Sequence, residues 1–152
     1  MKFWVIADTH FFHGNVIKYC NRPFKDYKEM NEQLIIKWNS VVAPEDIVFH
    51  LGDFSFGHKE KIESIKKQLN GTVILIKGNH DRDIIRECGF IVVEGALRVG
   101  NLILTHRPLE KEEIPQGFIN VHGHIHDLDS YYGINVSVEK TNYEPVELKT
   151  LH

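Results

Sequence analysis

The feature of this sequence that most constrains its fold is a series of five short apolar runs, each followed at once by aspartate, histidine or asparagine. Short runs rich in β-branched residues predict strands. Ligands of α/β proteins bind in the crevice outside the carboxyl ends of the strands, so five polar strand ends can converge on one site. The five segments are VIADTH, IVFHLGD, VILIKGNHD, LILTH and INVHGHIH.

The first half of the chain alternates strand patterns with helical patterns, which predicts an α/β fold. Asp26 and Glu29 resemble a capping box at the start of the first helix. The predicted strands cover residues 2–7, 46–51 and 72–77, and the predicted helices cover residues 26–42 and 58–69.

The second half of the chain is predicted to consist mainly of strands. Gly100 and Asn101 mark the turn of a hairpin. Further strands are predicted at residues 118–126, 132–138 and 144–151, with an exposed loop at residues 107–117. The length of 152 residues, without a linker-like tract, predicts a single domain over residues 1–152.

Charge and cysteine content exclude several classes of function. The formal net charge of -3 provides no general basic field for nucleic acids or acidic membranes. Cys20 and Cys88 lie far apart, which argues against a disulfide framework or a cysteine-based zinc site and favours reduced thiols. The apolar run at residues 3–7 is too short for a signal peptide or a membrane span. We therefore expect a soluble cytoplasmic protein.

Each polar strand end has an ordinary structural explanation when it is taken alone. Asp8 can cap a helix, Asp53 can belong to a turn, and His106 can be a hydrogen-bonded structural histidine. Five independent strand ends of this kind favour a shared site over coincidence. Imidazole and carboxylate ligands suit Zn, Fe, Mn, Co or Ni, and no cysteine is placed to select a softer metal.

The segment NVHGHIHD places two of its histidines, His124 and His126, two residues apart. In extended backbone both imidazoles project to the same side of the chain, with Ile125 facing away. The spacing therefore predicts that both histidines reach the same metal cluster, and Gly123 allows the backbone to approach it closely.

The ordered set DTH, GD, GNHD, a lone histidine after a strand, and GHIH resembles the calcineurin-like metallophosphoesterase superfamily, over residues 8–126. The resemblance implies a four-layer α-β-β-α sandwich with two divalent transition-metal ions. It assigns Asp8, His10 and His126 to one metal, Asn79, His106 and His124 to the other, and Asp53 to a bridge between them.

The resemblance also implies a reaction. A hydroxide that bridges the metals attacks the phosphorus in line, and His80 protonates the leaving oxygen as the general acid. Asp81 is expected to orient His80 or to stabilise its charge. The favoured activity is a phosphodiesterase acting on a small or nucleotide-like diester, because an uncapped domain leaves the metals in an open cleft. The alternatives are a phosphomonoesterase, including a protein phosphatase, and a binding scaffold without catalysis.

Three further residues are candidates for substrate binding. His13 follows the first metal motif and can contact a phosphate, although an exposed loop histidine is an equally good explanation. Arg22 and Arg107 can bind phosphate oxygens through two parallel hydrogen bonds, but surface ion pairing is the default interpretation for both.

Other histidines and aromatic residues near the motifs have structural interpretations. His50 and His122 each precede a motif glycine, and we expect them to be buried and hydrogen-bonded. Four phenylalanines flank the metal loops and either close the core or stack on a nucleobase, the core being the commoner outcome. These are Phe11, Phe12, Phe54 and Phe56.

Overall fold

The computed structural model describes residues 1–151, which form two stacked β-sheets and three α-helices. The strands are β1 (Phe3–Ile6), β2 (Ile47–His50), β3 (Thr72–Ile76), β4 (Ile91–Val93), β5 (Ala96–Val99), β6 (Leu102–Thr105), β7 (Ile119–His122), β8 (Gly133–Asn135) and β9 (Val146–Glu147). The helices are α1 (Gly14–Tyr19), α2 (Tyr27–Val41) and α3 (Lys59–Gln68).

The first sheet has the strand order β4-β3-β2-β1-β9. Its first four strands are parallel, and β9 pairs with β1 in the antiparallel direction. Because side chains alternate across a strand, Trp4 and Ile6 of β1 join a core cluster with the helices, whereas Val5 and Ala7 join a cluster between the two sheets. Both faces of this sheet are therefore buried.

The second sheet has the order β5-β6-β7-β8. β5 and β6 form an antiparallel hairpin, which confirms the turn predicted at Gly100 and Asn101. β6, β7 and β8 are parallel. Leu102, Leu104 and Val121 point from this sheet into the cluster between the sheets. Parallel strands in both sheets thus direct several carboxyl ends toward one edge of the molecule.

The predicted helix over residues 26–42 is confirmed as α2. The Asp26 carboxylate accepts a hydrogen bond from the Glu29 amide at 2.9 Å and so caps the helix. Met30, Leu34 and Trp38 recur every four residues and form its buried stripe. Helix α3 confirms the second predicted helix and buries Ile62 and Ile65.

The α/β class is confirmed, with two stacked sheets. All three α-helices of residues 1–151 contribute to the cluster on the outer face of the first sheet. Loops cover the outer face of the second sheet, where the Asn120 carboxamide accepts a hydrogen bond from the Leu109 amide and His122 contacts Ser130. The predicted loop at residues 107–117 is mostly exposed and holds one short 3₁₀ turn, Lys111–Glu113.

Several predicted strands are shorter than expected. β7 ends at His122, and the prediction of strand over residues 144–151 holds only for β9, which a 3₁₀ turn at Leu148–Thr150 follows. α1 and β4 were not predicted from the sequence. Within the described part of the chain, no helix combines the length and the apolar character needed to cross a membrane.

Candidate metal centre

The seven predicted metal ligands all lie in loops at the carboxyl ends of strands. Asp8 and His10 follow β1, Asp53 follows β2, and Asn79 follows β3. In the second sheet, His106 follows β6, and His124 and His126 follow β7.

The loops after β1 and β2 run side by side beyond the end of the sheet. The amide of Asp8 donates to the Gly52 carbonyl at 3.0 Å, and the amide of His10 donates to the Asp53 carbonyl at 3.1 Å. The amide of Phe11 continues the series to the carbonyl of Phe54. This backbone pairing holds the side chains of both loops at a fixed separation.

Asp8 connects the two sheets at the site. Its Oδ2 accepts hydrogen bonds from the His124 amide at 2.7 Å and from the Ser137 hydroxyl at 2.8 Å. Gly123, which precedes His124, also donates its amide to the His106 carbonyl at 2.9 Å. The loops after β1, β6 and β7 are therefore fixed relative to one another by hydrogen bonds.

Five of these seven residues adopt left-handed backbone conformations. Their φ angles are 59° for Asp8, 51° for His10, 57° for Asp53, 71° for His124 and 52° for His126. A non-glycine residue in this region costs about 1–3 kcal/mol and is commonest at functional sites. The prediction that His124 and His126 project together from an extended strand is therefore wrong, because both follow the end of β7 and occupy turn conformations.

Two glycines allow the ligand loops to pack closely. A Cβ atom on Gly123 would overlap the Asp8 carboxylate, and a Cβ atom on Gly78 would overlap the Asp53 carboxylate. The atoms nearest to these positions belong to Asp8 and Ala7 for Gly123 and to Asp53 for Gly78. The close approach expected at Gly123 is thus observed, and its neighbour is Asp8.

The first group of potential ligands consists of Asp8, His10 and His126, whose ligand atoms lie within 4.8 Å of one another. Asp8 Oδ1 and His10 Nε2 are buried and have no hydrogen-bond partner among residues 1–151. They lie 3.9 Å apart. Unpaired buried polar atoms are costly, and a cation between them would satisfy both, so these donors fit a metal ion.

Burial sets the protonation of this first group in the metal-free protein. Burial raises the pKa of Asp8 to about 6, against the opposing effects of His106 and His126. Burial lowers the pKa of His10 to about 2, although Asp53 acts in the other direction. His10 is therefore a neutral imidazole with a lone pair available for a metal.

The second group consists of Asp53, His106 and His124, again within 4.8 Å of one another. The Nδ1 of His106 lies 2.7 Å from the Leu51 carbonyl, to which it can only donate, so its Nε2 faces the other members of the group. That Nε2 lies 2.7 Å from Asn79 Oδ1. Burial opposes a charge on His106, but the hydrogen bond to Asp53 and the charges of Asp8 and Asp53 outweigh burial and raise the pKa of His106 in the metal-free protein. A metal ion can take the place of the Nε2 proton among these oxygen atoms.

Asp53 lies between the two groups. Its Oδ2 is 3.6 Å from His10 Nε2 in the first group and 3.4 Å from His106 Nε2 in the second. Burial acts to raise the pKa of Asp53, but the hydrogen bond and charge of His106 outweigh burial and hold that pKa well below its usual value. The carboxylate is therefore ionised where the two ligand groups meet.

A comparison with known families decides the identity of the fold. The family model of calcineurin-like phosphoesterases matches residues 1–150. The chain belongs to the calcineurin-like phosphoesterase family. The activity that follows from this membership is that of a metal-dependent phosphoesterase, in agreement with the two groups of potential ligands.

Three individual proteins extend the comparison. The uncharacterized protein MJ1445 of Methanocaldococcus jannaschii is 42% identical over 97% of this chain and 87% of its own length. A solved structure of the protein of unknown function AQ665 from Aquifex aeolicus has 26% identity and a TM-score of 0.78, covering 98% of this chain and 96% of that one. The Pseudomonas putida nuclease MPE is similar in fold, with 22% identity and a TM-score of 0.58 over 82% of this chain and 61% of the nuclease.

The phosphoesterase chain supports its first ligand group with a buried ion pair that sequence reasoning missed. Glu139 Oε2 lies 3.0 Å from His126 Nδ1 and 2.8 Å from both Nε and Nη2 of Arg22. Arg22 also donates to the backbone carbonyls of Asp8 and Thr9. The prediction that Arg22 binds substrate is therefore corrected: its guanidinium is buried beneath the loop after β1 and is used by protein acceptors.

Cys20 also lies closer to the site than the sequence indicated. Its sulfur, a nitrogen of His126 and an oxygen of Glu139 lie within 4.8 Å of one another. Burial opposes a charge on His126, but hydrogen bonds to Cys20 and Glu139 outweigh it and raise the pKa of His126 to about 10 in the metal-free protein. Cys20 therefore lies beside a candidate ligand, which qualifies the expectation that no cysteine is placed to select a softer metal.

His80 and Asp81 occupy different environments in the phosphoesterase. The His80 side chain is exposed, with its ring 5.7 Å from the ring of His10, and its backbone amide donates to Asp53 Oδ1 at 2.8 Å. The Asp81 carboxylate is buried and accepts from the backbone amides of Gly78, Asp53 and Phe54. Asp81 thus fixes the loops after β2 and β3, and its hydrogen bonds do not include the His80 ring.

The two other candidates for substrate binding both lie at the site. His13 Nδ1 is 3.1 Å from His10 Nδ1, and its ring stacks on Phe56 at 3.8 Å. Arg107 is exposed and lines a cleft of about 630 Å³ together with Asn79 and His106. Burial, followed by the charges of His106 and Arg107, lowers the pKa of the neighbouring His124.

The structural interpretations of His50 and His122 are confirmed. Both are fully buried. His50 Nδ1 accepts from the Gly52 amide and its Nε2 contacts the Thr9 hydroxyl, whereas His122 contacts Gly123 and Ser130. Phe11, Phe12 and Phe54 pack in the hydrophobic core, whereas Phe56 stacks on His13.

Proposed function

We propose that this protein is a dinuclear metal-dependent phosphodiesterase. The observation that carries the proposal is the position of Asp53, whose Oδ2 lies within 3.6 Å of a ligand nitrogen in each of the two groups. A carboxylate shared between two groups of imidazole ligands suits a pair of divalent ions such as Mn, Fe, Zn, Ni or Co. Buried atoms without partners in the first group support the same proposal.

The assignment of ligands follows the two groups. Asp8, His10 and His126 would hold one ion, His106, His124 and Asn79 would hold the other, and Asp53 would serve both groups. Bound divalent ions supply Lewis-acid polarisation of the phosphate and lower the pKa of a water.

His80 is proposed as the general acid. Its side chain is exposed beside His10 and lines a recess of about 570 Å³, so a leaving oxygen bound in that recess would lie within its reach. The hydrogen bond from its backbone amide to Asp53 fixes the loop that carries it. A proton held on the imidazole passes to the leaving oxygen as the bond to phosphorus breaks.

The preference for diesters is supported by two separate openings near the ligand groups. The recess at His80 and the cleft lined by Asn79, His106 and Arg107 share no lining residue. A diester carries two substituents and needs room for both, whereas a monoester needs room for only one. The leaving group is assigned to the recess at His80 and the retained substituent to the cleft.

Turnover of paired substrates tests the proposed function. The protein is loaded separately with Mn, Ni, Zn or Fe and assayed with bis(p-nitrophenyl) phosphate and with p-nitrophenyl phosphate. We expect a higher kcat/KM for the diester. A higher value for the monoester would favour a phosphomonoesterase, and no turnover of either ester with any metal would favour a binding scaffold.

A further inference from the structure

A second, apolar recess opens beside the candidate metal centre. It has a volume of about 220 Å³ and is lined by residues of the loops that follow β6 and β7. Three of its large side chains are unusually exposed for their type, with 64% exposure for Leu128, 93% for Tyr131 and 53% for Tyr132. Exposed apolar patches of this kind mark sites of interaction.

This recess adjoins the cleft at the candidate ligands. Leu109 lines both the cleft that contains Asn79 and His106 and the apolar recess. Ile125, which separates the two ligand histidines in the sequence, lines the recess as well. A molecule that extends from the cleft across Leu109 therefore enters the recess that Tyr131 and Tyr132 line.

The loop that carries the recess is held by hydrogen bonds from the neighbouring strand. The Asn135 side chain donates to the carbonyls of His126 at 2.8 Å and of Leu128 at 3.0 Å. Ser130 contacts the buried His122 and accepts from the Gly133 amide. The recess is thus built onto the same segment that supplies a ligand to the candidate metal centre.

The cleft and the apolar recess differ in the charge of the residues that line them. Arg107 lines the cleft and has no ion-pair or hydrogen-bond partner for its guanidinium within residues 1–151, so it is free to bind a phosphate oxygen. The rim of the apolar recess carries the carboxylate of Glu110, which disfavours an anion, and that of Asp129, which is paired with Lys140. The anionic part of a ligand is therefore favoured at Arg107, and an uncharged part is favoured in the recess.

We infer that the recess between Leu109 and the Tyr131–Tyr132 pair binds the nucleobase of a nucleoside attached to the scissile phosphate. The inference rests on the proposed function and names its substrate class. The recess is smaller than the 300–1,000 Å³ typical of sites for whole drug-sized ligands, so it suits one planar ring system. Tyrosine rings provide stacking surfaces that accept any base.

Two substrates with the same leaving group test this inference. The p-nitrophenyl ester of thymidine monophosphate and methyl p-nitrophenyl phosphate differ only in the retained substituent. We expect the wild-type protein to prefer the thymidine ester in kcat/KM. The double variant Tyr131→Ala/Tyr132→Ala should reduce this preference by about 5- to 150-fold, the effect of losing base stacking. Tyr131→Phe/Tyr132→Phe should retain it, and so should Ile36→Ala, which removes an exposed apolar side chain on α2.

The outcomes separate this inference from the proposed function. Turnover of both esters without a preference, or a preference that survives in the double alanine variant, overturns the nucleobase site and leaves the phosphodiesterase intact. If neither ester is turned over, NMR titration compares thymidine monophosphate with methyl phosphate, and equal affinity overturns the site independently. A dimer in light scattering that the alanine variant converts to a monomer, with the preference unchanged, assigns the patch to a second copy of the chain instead.

Discussion

At the scale of single residues, the hydrogen bonds of the ring nitrogens separate structural histidines from candidate ligands. Both ring nitrogens of His50 and of His122 have partners within the protein. His106 and His126 each pair Nδ1 with an oxygen acceptor, which orients the ring and leaves the other nitrogen for a cation. Glu139 therefore orients the His126 ring at the candidate metal centre.

The role of His80 can be isolated from metal binding. In His80→Ala the backbone hydrogen bond to Asp53 is retained, because it is donated by the amide. We expect unchanged metal content and a kcat lower by about 10²- to 10⁴-fold, which is the usual contribution of a general acid. The measurements are metal analysis and steady-state kinetics on the diester.

His58→Ala is the matched control for this variant. His58 lines the same recess but pairs with Glu60, so we expect its removal to act on KM through binding of the leaving group and to leave kcat close to the wild-type value. Turnover near the wild-type rate in a metal-replete His80→Ala protein would show that His80 is not the acid.

At the scale of elements, the strand ends were predictable and the loop conformations were not. The apolar runs of β1, β2, β3, β6 and β7 are local patterns, and each ends just before a candidate ligand. The turns that hold the ligands depend on contacts between loops that are distant in the sequence, such as the bond between Asp8 and the His124 amide.

Short elements, and residue pairs that are distant in the sequence, were also not predicted. α1 has six residues and a single buried one, Val16, so it shows no helical periodicity. Arg22 and Glu139 are 117 residues apart, and no local pattern joins them. The strand predicted at residues 132–138 ends just before Glu139, so the rule that found the other strand ends would have included Glu139.

The close approach of the loops after β1 and β7 can be tested at Gly123. In Gly123→Ala the new methyl group overlaps the Asp8 carboxylate. We expect destabilisation by about 1–3 kcal/mol, the usual effect of overpacking, together with weaker metal binding. The measurements are denaturant unfolding and metal titration.

Gly14→Ala is the control for this loop variant. Gly14 begins α1, and no atom lies within 4 Å of the place that an added methyl group would occupy, so alanine there should be neutral or stabilising. Wild-type metal affinity in Gly123→Ala would contradict the tight packing of this glycine on Asp8.

At the scale of the whole molecule, Asp46 connects the start of the first sheet with the turn before β2. Its carboxylate accepts hydrogen bonds from the amides of Ala43 and Lys2 and from the indole of Trp4, each at 2.9 Å. These bonds, led by that from Ala43, lower the pKa of Asp46 in the folded protein. A carboxyl group whose pKa is lower in the folded than in the unfolded protein stabilises the fold at pH values above its unfolded pKa. This stabilisation is lost as the pH falls through the folded pKa.

The variant Asp46→Asn tests this linkage in the metal-free protein. We expect a lower free energy of unfolding than wild type at pH 7, and the difference should shrink as the pH falls below 3.8, the ordinary pKa of an aspartate carboxyl group. Asp129→Asn is the control, because that exposed carboxylate pairs with Lys140 at the surface, where ion pairs contribute little. A difference between wild type and Asp46→Asn that stays constant with pH would contradict the pKa shift.

The central claim is that Asp53 joins two metal ions in one site, and metal stoichiometry tests it most directly. Wild-type protein and Asp53→Ala are saturated with Mn or Zn, dialysed and analysed for bound metal, and circular dichroism confirms that the variant is folded. We expect two ions per wild-type chain and loss of the pair in Asp53→Ala, because the carboxylate lies between both ligand groups. A wild-type chain that binds at most one ion, or a folded variant that keeps two, would contradict the claim.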